Sequence, residues 1–377
     1  MDIQSLPVRT KRDMDEFIHV AWKIHHGDPN WVAPLATERA NRLDPERNPF
    51  WHDVERELWV ARRGAQAVGT LAVFMVHNGE GKKSGYFGFF DCFDDQSAAA
   101  DLFRCGEAWL RERGASELTG PYNPSDRDEP GVLVEGFDTR PAIMEAHNPS
   151  YYPRLFDQLG YQVDNTLVAR LFAIPPGMNS VSTGLPEKLL RVAEKAGMRK
   201  DLRIRPLDPG KWKTEIRLAW EIYNAALKGV PGIEHVPWED FYQAAEGFRP
   251  IMAPDMALIA EVSGKAAGFA LALPDANEAI QRLDGKSGLF QMARLWWGLQ
   301  RVKRTSFKIL MILPEFQGRG IEAVLIREMG KAILRHGFKE VDMSLTGENN
   351  EKSQRFQEHL GFKTYRRYHI YRKDLIE

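Results

Sequence analysis

The chain has 377 residues, which is long enough for two domains that each bury an ordinary hydrophobic core. Its formal net charge of −1 gives no field that would hold nucleic acid, so the sequence predicts no nucleic-acid partner. The two cysteines, Cys92 and Cys105, are too few for a disulfide framework and lack the spacing of metal ligands. With neither a signal pattern nor an apolar run of about 18 residues, the sequence predicts a cytoplasmic protein without a metal site.

The first half of the chain alternates between helical and strand patterns. A helix that contains residues 21–24 precedes a loop with proline and tryptophan, and residues 67–74 read as a strand around Gly69. Asp94 and Asp95 stand near the start of the next helix, where carboxylates suit capping but repel a diphosphate. We therefore expect no phosphate-binding site at this helix start.

An insertion at 121–137 precedes a helix at 148–161. It contains four consecutive charged residues in turn-forming sequence, Asp126, Arg127, Asp128 and Glu129. Such sequence is typical of a solvated loop, and the alternative is a loop whose carboxylates attract an amine substrate. Tyr151 and Tyr152 follow at a helix start, where they either pack in a core or supply a proton.

Residues 175–184 are rich in turn formers and read as a linker, and residues 186–196 as a short helix that leads into the second half. A strand at 267–273 follows, and then an insertion at 277–304. Within the insertion, 288–304 forms a basic helix with an apolar face of Leu289, Met292, Leu295, Trp296 and Leu299. Such a helix is buried between modules or in an oligomer, or it lies at a membrane surface or covers an acyl chain.

The most informative stretch is a strand, a loop and a helix in immediate succession. Residues 309–313 form a continuous apolar run, and apolar residues recur at helical spacing through 321–337. The first amides of a helix have no internal partners and carry the positive end of its dipole, so they bind phosphate. Gly318 and Gly320 let the backbone approach an anion closely, and Arg319 adds a positive charge.

Residues 314–321, Pro-Glu-Phe-Gln-Gly-Arg-Gly-Ile, resemble the acyl-coenzyme A loop of the GNAT superfamily of N-acyltransferases. Downstream, residues 350–362 end in Leu-Gly-Phe and resemble that superfamily's helix beside the pantetheine arm. A strand at 340–345 separates the two motifs, and the resemblance covers residues from about 202 to 377. It implies a mixed, mostly antiparallel sheet flanked by helices, with acetyl-CoA or a longer acyl-CoA as the acyl donor.

The resemblance also implies which residues contact the coenzyme. They are Ile312, Leu313, Gln317, Gly318, Arg319, Gly320 and Asn350. Two positions depart from the superfamily pattern. Glu322 stands where the loop normally has a third glycine or an alanine, and it either complements the helix dipole or weakens diphosphate binding. Gln357 stands where many members carry the tyrosine that reprotonates the leaving thiolate, so that role has no match here.

Four segments recur in the same order in both halves: 21–24 with 219–222, Gly69 with Gly268, 106–111 with 330–335, and 148–161 with 349–362. We interpret this repeat as a tandem duplication within an α/β (α+β) fold. The predicted units are a degenerate GNAT-like module at 1–174, a linker with a short helix at 175–200, and a GNAT module with the acyl-CoA loop at 201–377.

The resemblance implies an enzyme, an N-acyltransferase that moves an acyl group from acyl-CoA to an amine. The acceptor is a small-molecule amine or, alternatively, a long-chain lipid amine at a membrane surface. A base must remove a proton from the amine, and the apolar run at 309–313 contains neither a carboxylate nor a histidine. The candidates for proton transfer are Glu348, Tyr152, Asp128 and Glu135. A non-catalytic CoA-binding or interaction protein is the competing hypothesis, motivated by Glu322 and the missing tyrosine.

Overall fold

The computed structural model describes residues 2–52, 54–77, 83–125, 128–229 and 235–375. The helices are α1 (Lys11–Ile24), α2 (Ala36–Leu43), α3 (Gln96–Arg111), α4 (Tyr152–Gln158), α5 (Glu187–Gly197), α6 (Trp212–Leu227), α7 (Trp238–Phe248), α8 (Asn277–Ile280), α9 (Leu289–Leu299), α10 (Ile321–Arg335) and α11 (Glu351–His359). The strands are β1 (Ile3–Pro7), β2 (Glu55–Arg63), β3 (Gln66–His77), β4 (Lys83–Cys92), β5 (Glu117–Gly120), β6 (Val132–Glu135), β7 (Gln162–Ala173), β8 (Leu202–Pro206), β9 (Ala257–Val262), β10 (Lys265–Pro274), β11 (Arg304–Ile312), β12 (Glu340–Gly347) and β13 (Lys363–Asp374). Asp126 and Arg127, part of the predicted acceptor loop, lie outside the described residues.

In the described part of the chain, the strands form one continuous sheet. Their order is β1-β2-β3-β4-β5-β13-β7-β12-β11-β10-β9-β8, and β6 pairs with β13 beside this path. Neighbouring strands run antiparallel except for β4 with β5 and β11 with β12, which are parallel. Helices flank the sheet, so the predicted mixed and mostly antiparallel architecture is confirmed.

The two halves repeat the same sequence of elements. In each half an early helix, α1 or α6, precedes an antiparallel run of strands. A long helix, α3 or α10, then connects the two parallel strands, and a short helix, α4 or α11, precedes the last long strand. The tandem duplication predicted from the four matching segments is therefore confirmed.

The last strands of the two halves are exchanged. β7, which ends the first half, pairs with β12 of the second half, and β13 at the end of the chain pairs with β5 and β6 of the first. β7 and β13 also pair with each other at the centre of the sheet. Each spatial half therefore contains a strand from the other half of the sequence, and the predicted boundaries 1–174, 175–200 and 201–377 stay predictions.

The helix that follows the glycine loop forms because one of its faces is apolar. Ile321, Leu325, Met329 and Ala332 are all fully buried in α10, at the spacing of one helix face. The predicted short helix after the linker is present as α5, which packs against the start of α10 through an alanine-rich contact. The loop between β11 and α10 is thus held between the sheet and α5.

The predicted basic helix of the second insertion is present as α9, and much of its apolar surface is open. Leu289 is 93% exposed, Phe290 70% and Trp296 67%. The hypothesis of burial between modules therefore does not hold for these side chains within this chain. No helix among the described residues has the length and apolar character needed to cross a membrane.

Candidate active site

β11 loses one of its neighbouring strands halfway along its length. Its parallel pairing with β12 joins residues 304–307 to residues 340–343 and then stops. At the same point the register with β10 shifts between Leu271 and Ala272, which leaves Lys308 as an extra residue on β11. Beyond this bulge β11 and β12 are no longer paired with each other, and side chains from both line a common opening.

The edge of β11 that faces this opening carries backbone groups that are not paired with β12. The Leu313 N–H donates to the Ala267 carbonyl of β10 at 2.9 Å. Because the direction alternates along an antiparallel pair, the N–H and C=O groups of Leu310 and Ile312 point away from β10, toward the opening. The Gln317 side chain donates to the Ile312 carbonyl at 3.2 Å. The Leu310 amide is therefore placed to donate to the carbonyl oxygen of a bound thioester.

The loop before α10 has the backbone geometry that the glycines predict. Gly318 and Gly320 have φ angles of +71° and +78°. A Cβ atom at Gly320 would stand 3.0 Å from the Cβ of Ala196 and the Cγ1 of Val192, so this glycine is needed for packing against α5 as well. At Gly318 a Cβ would meet no atom within 4 Å, and Arg319 is exposed beside it. The face of the loop at Gly318 and Arg319 is thus open to an anion.

Two further positions discussed from the sequence, Asn350 and Gln357, line the opening, and a third, Glu322, lies in α10. Asn350 caps α11 by accepting a hydrogen bond from the Ser353 N–H at 3.2 Å. Gln357, at the tyrosine position, donates to the Thr346 hydroxyl at 3.1 Å and so ties α11 to β12. Glu322 lies in the first turn of α10, and its Oε2 atom is buried without a hydrogen-bond partner among the described residues.

The equivalent edge in the first half is occupied by the protein's own groups. Asn123 accepts a hydrogen bond from the Phe89 N–H at 2.6 Å, and the Tyr152 hydroxyl accepts one from the Cys92 N–H at 2.9 Å. Asp95 accepts bonds from two amides in the first turn of α3, at 3.1 and 3.2 Å. These groups correspond to the open strand edge and the free helix start of the second half.

Similarity to known proteins agrees with this geometry. A family model described as FR47-like protein matches residues 287–371. The chain is 29% identical to the bacterial ceramide synthase of Caulobacter vibrioides over 99% of this chain and 98% of that protein. It is 30% identical to protein YghO of Escherichia coli over 97% of this chain and 94% of that protein. Among solved structures, a tandem GNAT protein from the clavulanic acid biosynthesis pathway aligns with a TM-score of 0.58, at 12% identity, over 100% of this chain and 99% of that chain.

The chain belongs to the GNAT superfamily. It is an acyltransferase of tandem GNAT architecture, which decides against the non-catalytic hypothesis. The GNAT fold implies an acyl-CoA donor in general terms, and acyltransferase relatives indicate a small-molecule or lipid amine as acceptor.

This tandem GNAT protein contains a cavity of about 1420 Å³ that begins at the opening between β11 and β12. Apolar side chains of α6, α7 and α9 form one wall. The opposite side is formed by the first half, through α2 and the loop residues 121–125, 128–132 and 141–148. Both halves therefore contribute to a single chamber that leads to the free edge of β11.

Two of the predicted proton-transfer residues lie together on the surface. Glu135 and Glu348 both pair with Arg367, and the Glu135 carboxylate is 3.2 Å from the Arg367 Nε atom. Both carboxylates are about half exposed or more, and neither lines the cavity. Their roles as bases stay predictions, and the ion pairs account for their positions without a substrate.

The other two predicted residues, Asp128 and Tyr152, do line the cavity. Asp128 accepts a hydrogen bond from the Ser125 hydroxyl at 2.6 Å. Tyr152 is almost fully buried, and burial raises the pKa of its phenol well above 10. A phenol with a raised pKa is a weaker acid, and its bond to the Cys92 amide favours a structural role.

Sequence analysis missed a buried polar cluster at the junction of the halves. Lys308, the bulge residue, donates from Nζ to the Ile143 carbonyl at 2.6 Å, and Asp275 accepts from the Ile143 N–H at 3.0 Å. Asp342 of β12 is fully buried and bonded to Ser306 of β11. Polar residues within segments whose pattern predicts strands are the sequence signal that could have identified this cluster. No group of His, Cys, Asp and Glu among the described residues could hold a metal ion.

Asp275 gives this cluster a measurable pH dependence. Burial raises its pKa from 3.8 to about 6, although Arg304 opposes this shift. Because the folded-state pKa is the higher one, the contribution of Asp275 to stability is complete below about pH 4 and is lost as the pH rises through about 6. Relative to the wild type, Asp275→Asn should therefore gain about 2 kcal/mol of unfolding free energy between pH 4 and pH 7, measured by urea denaturation. A difference that stays constant with pH would contradict this assignment.

Proposed function

We propose that this tandem GNAT protein transfers a long acyl chain from acyl-CoA to the amino group of a long-chain lipid amine. In this proposal the second half holds the coenzyme, with its diphosphate at Gly318 to Gly320 and its thioester beside Leu310. The product is an N-acylated lipid amine, and free coenzyme A is released.

The observation that carries the proposal is the size and lining of the cavity. Its volume of about 1420 Å³ exceeds the roughly 300–1,000 Å³ of ordinary small-molecule sites. Its walls include Ile216, Phe241, Ile280 and Leu295, which bind hydrocarbon rather than a compact polar amine. A chamber of this kind accommodates two alkyl chains whose reactive ends meet at β11.

Similarity over the full chain supports the same substrate class. The Caulobacter vibrioides relative is a bacterial ceramide synthase, and a ceramide is an N-acylated long-chain amino alcohol. The match covers 99% of this chain, so it includes both walls of the cavity and the glycine loop. We therefore propose a long-chain amino alcohol as the first acceptor to test.

A matrix of donors and acceptors tests this function. Purified protein is assayed with acetyl-, octanoyl- and palmitoyl-CoA against ethanolamine, an amino acid and a long-chain amino alcohol, with thiol release and product mass as readouts. We expect the highest kcat/KM for palmitoyl-CoA with the long-chain amino alcohol, because both chains bury apolar surface. Equal or higher activity with acetyl-CoA and ethanolamine would refute the lipid assignment while leaving the acyltransferase assignment intact.

We further propose that α9 contacts the membrane from which the lipid amine is drawn. Its side chains Leu289, Phe290 and Trp297 are exposed, whereas Leu295 faces the cavity. Exposed basic residues accompany the apolar surface, namely Lys286, Arg294, Arg301 and Lys303. A helix with this composition binds anionic lipid through apolar insertion and charge, each basic residue contributing about 1 kcal/mol. The helix would then connect the membrane surface with the cavity.

Replacing Trp296 and Trp297 with alanine is expected to lower the partition onto vesicles of phosphatidylglycerol and phosphatidylcholine at least tenfold, because two large apolar side chains no longer insert. Co-sedimentation measures the bound fraction. Met198→Ala is the matched control, because Met198 is 72% exposed but lies outside α9. If the double variant sediments as the wild type does, α9 is not the membrane contact.

A further inference from the structure

A loop of the first half reaches the open edge of β11 in the second half. Residues 141–148 line the cavity together with residues 307–311 of β11. Both backbone polar groups of Ile143 are hydrogen-bonded, since Lys308 donates to its carbonyl and Asp275 accepts from its amide. The loop is therefore held beside the bulge, where a thioester bound along β11 would react.

This loop carries one carboxylate whose position is unusual. Glu145 is only 4% exposed, yet it lines the cavity. Its Oε2 atom accepts hydrogen bonds from the Ala142 N–H and the Tyr365 hydroxyl, each at 3.1 Å. Its Oε1 atom is buried and has no hydrogen-bond partner among the described residues. An unpaired buried carboxylate oxygen costs free energy, which a ligand that donates a hydrogen bond would recover.

A chain of hydrogen bonds ends on this carboxylate. The Tyr365 hydroxyl lies 2.9 Å from the Asp342 Oδ1 atom and 3.1 Å from the Glu145 Oε2 atom, but it has a single proton to donate. Burial, reinforced by the nearby Glu145 charge, raises the pKa of Asp342 well above 3.8, which favours its protonated form, and in that form Asp342 donates to Tyr365. The Tyr365 proton then points to Glu145. The Oε1 atom is left as an acceptor without a donor among the described residues, on a side chain that lines the cavity.

The groups around Glu145 keep it available rather than neutralising it. Arg366, a buried cation that contacts this loop, is engaged by the Ala146 carbonyl and the His147 ring, both at 3.0 Å. Lys308 bonds the Ile143 carbonyl instead of a carboxylate. The described residues place no ion pair on Glu145, in contrast to Glu135 and Glu348 on the surface, which share Arg367.

We propose that Glu145 forms the acceptor-amine site of this enzyme, binding the ammonium group through Oε1 and removing its first proton. This inference rests on the proposed N-acyl transfer. The freed amine attacks the thioester carbon beside Leu310, a C–N bond forms and the C–S bond breaks. The second proton leaves nitrogen for the departing thiolate, which yields the amide and free coenzyme A. Glu145 then releases its proton to solvent. The catalytic base thus comes from the first half and the coenzyme site from the second.

The test compares Glu145→Gln with the wild type at saturating acyl-CoA. Loss of the base should lower kcat by roughly 10²- to 10⁴-fold and leave the Kd for acyl-CoA unchanged. Glu57→Gln is the matched control, because that carboxylate is also largely buried but bonds Arg9 and lies outside the cavity. An acyl-CoA titration of each variant verifies that the second half is folded.

A second acceptor separates proton removal from a structural role. A long-chain O-alkyl hydroxylamine is unprotonated at neutral pH and needs no base before attack, so the loss in Glu145→Gln should shrink at least tenfold with this nucleophile. Tyr365→Phe keeps Glu145 and should lower kcat less than Glu145→Gln does, with unchanged acyl-CoA binding. A Glu145→Gln enzyme within threefold of wild-type kcat, or an equal loss with both nucleophiles, overturns the proposal.

The two proposals fail in distinguishable ways. If the wild type acylates only small amines, the lipid assignment is wrong, and the same variants are then compared with the small amine that reacts. Because the Glu145 site recognises an ammonium group, its prediction is unchanged by the length of the chain attached to that group. Retained activity in Glu145→Gln would refute the amine site whichever acceptor is used.

Discussion

Gly318→Asp is expected to abolish measurable binding of acyl-CoA at micromolar concentrations, whereas Gly318→Asn should weaken it only slightly. Both residues tolerate a positive φ of +71° better than other side chains do, and both fit the open space around this position. The two variants therefore differ in charge and in little else. This difference isolates the electrostatic part of coenzyme recognition from backbone strain.

The size of the effect follows from the distance between charges. Two like charges about 4 Å apart repel by about 1 kcal/mol in water and about 4 kcal/mol at the lower effective dielectric near a protein surface. The expected loss of affinity for the aspartate variant is thus roughly fivefold to a thousandfold per phosphate charge. Calorimetry with palmitoyl-CoA measures it, and thermal unfolding of the free variants controls for stability. Equal losses for Asn and Asp would mean that the diphosphate does not face Gly318.

The glycine loop could be predicted from the sequence because its determinants are local. An apolar strand, two glycines and an amphipathic helix occur within thirty or so residues, and each has its own sequence signal. The predicted helix from Ile321 is present as α10, and both glycines adopt positive φ angles. The contacts of the loop with α5 are also consistent with the short helix predicted after the linker.

The strand before the loop was predicted too short, for a physical reason. β11 begins at Arg304 rather than at Ile309, since its first half contains polar residues that are buried against other polar groups. Thr305 donates its hydroxyl to the Leu273 carbonyl, and Ser306 is bonded to Asp342. An apolar pattern cannot identify such a strand, because burial here depends on partners far away in the chain.

Glu145 could not be identified from the sequence for the same reason. It lies in an irregular loop, and its partner Tyr365, which also bonds Asp342, is about two hundred residues away. The sequence candidates Glu135 and Glu348 were plausible carboxylates, but tertiary structure pairs both with Arg367. Which carboxylate stays unpaired is decided by the packing of the two halves and by the exchange of their last strands.

The exchange of strands predicts that neither half folds by itself. Residues 1–174 lack β13 and the residue that follows it, so the core of the first half loses Tyr371 and Leu375. The Tyr371 ring stacks on Phe156 at a centroid distance of 4.8 Å. Removing two large buried side chains costs roughly 2–5 kcal/mol each, which is comparable with the whole stability of about 5–15 kcal/mol for a typical domain.

Residues 175–377 have the reciprocal defect, because they lack β7. Val341 of β12 then loses its partner Phe172, and β13 loses the strand with which it shares most of its length. Each fragment also exposes unpaired strand edges, which promote aggregation. We expect each fragment alone to be insoluble or to unfold without cooperativity, and co-expression of both to restore a soluble, active complex.

Cutting the linker after folding provides the control. A protease site placed at the exposed residues Pro175 to Gly177 leaves every strand in position, so the cleaved protein should keep its cooperative unfolding transition and its acyl-transfer rate. The cleaved protein and the separately made fragments consist of the same two chains. They differ only in whether the two halves folded together before the linker was cut. A fragment 1–174 that unfolds cooperatively at the full-length melting temperature would show that β13 is dispensable for the first half. Loss of activity in separate fragments, together with retention after cleavage, would place the requirement in the exchanged strands and not in the linker.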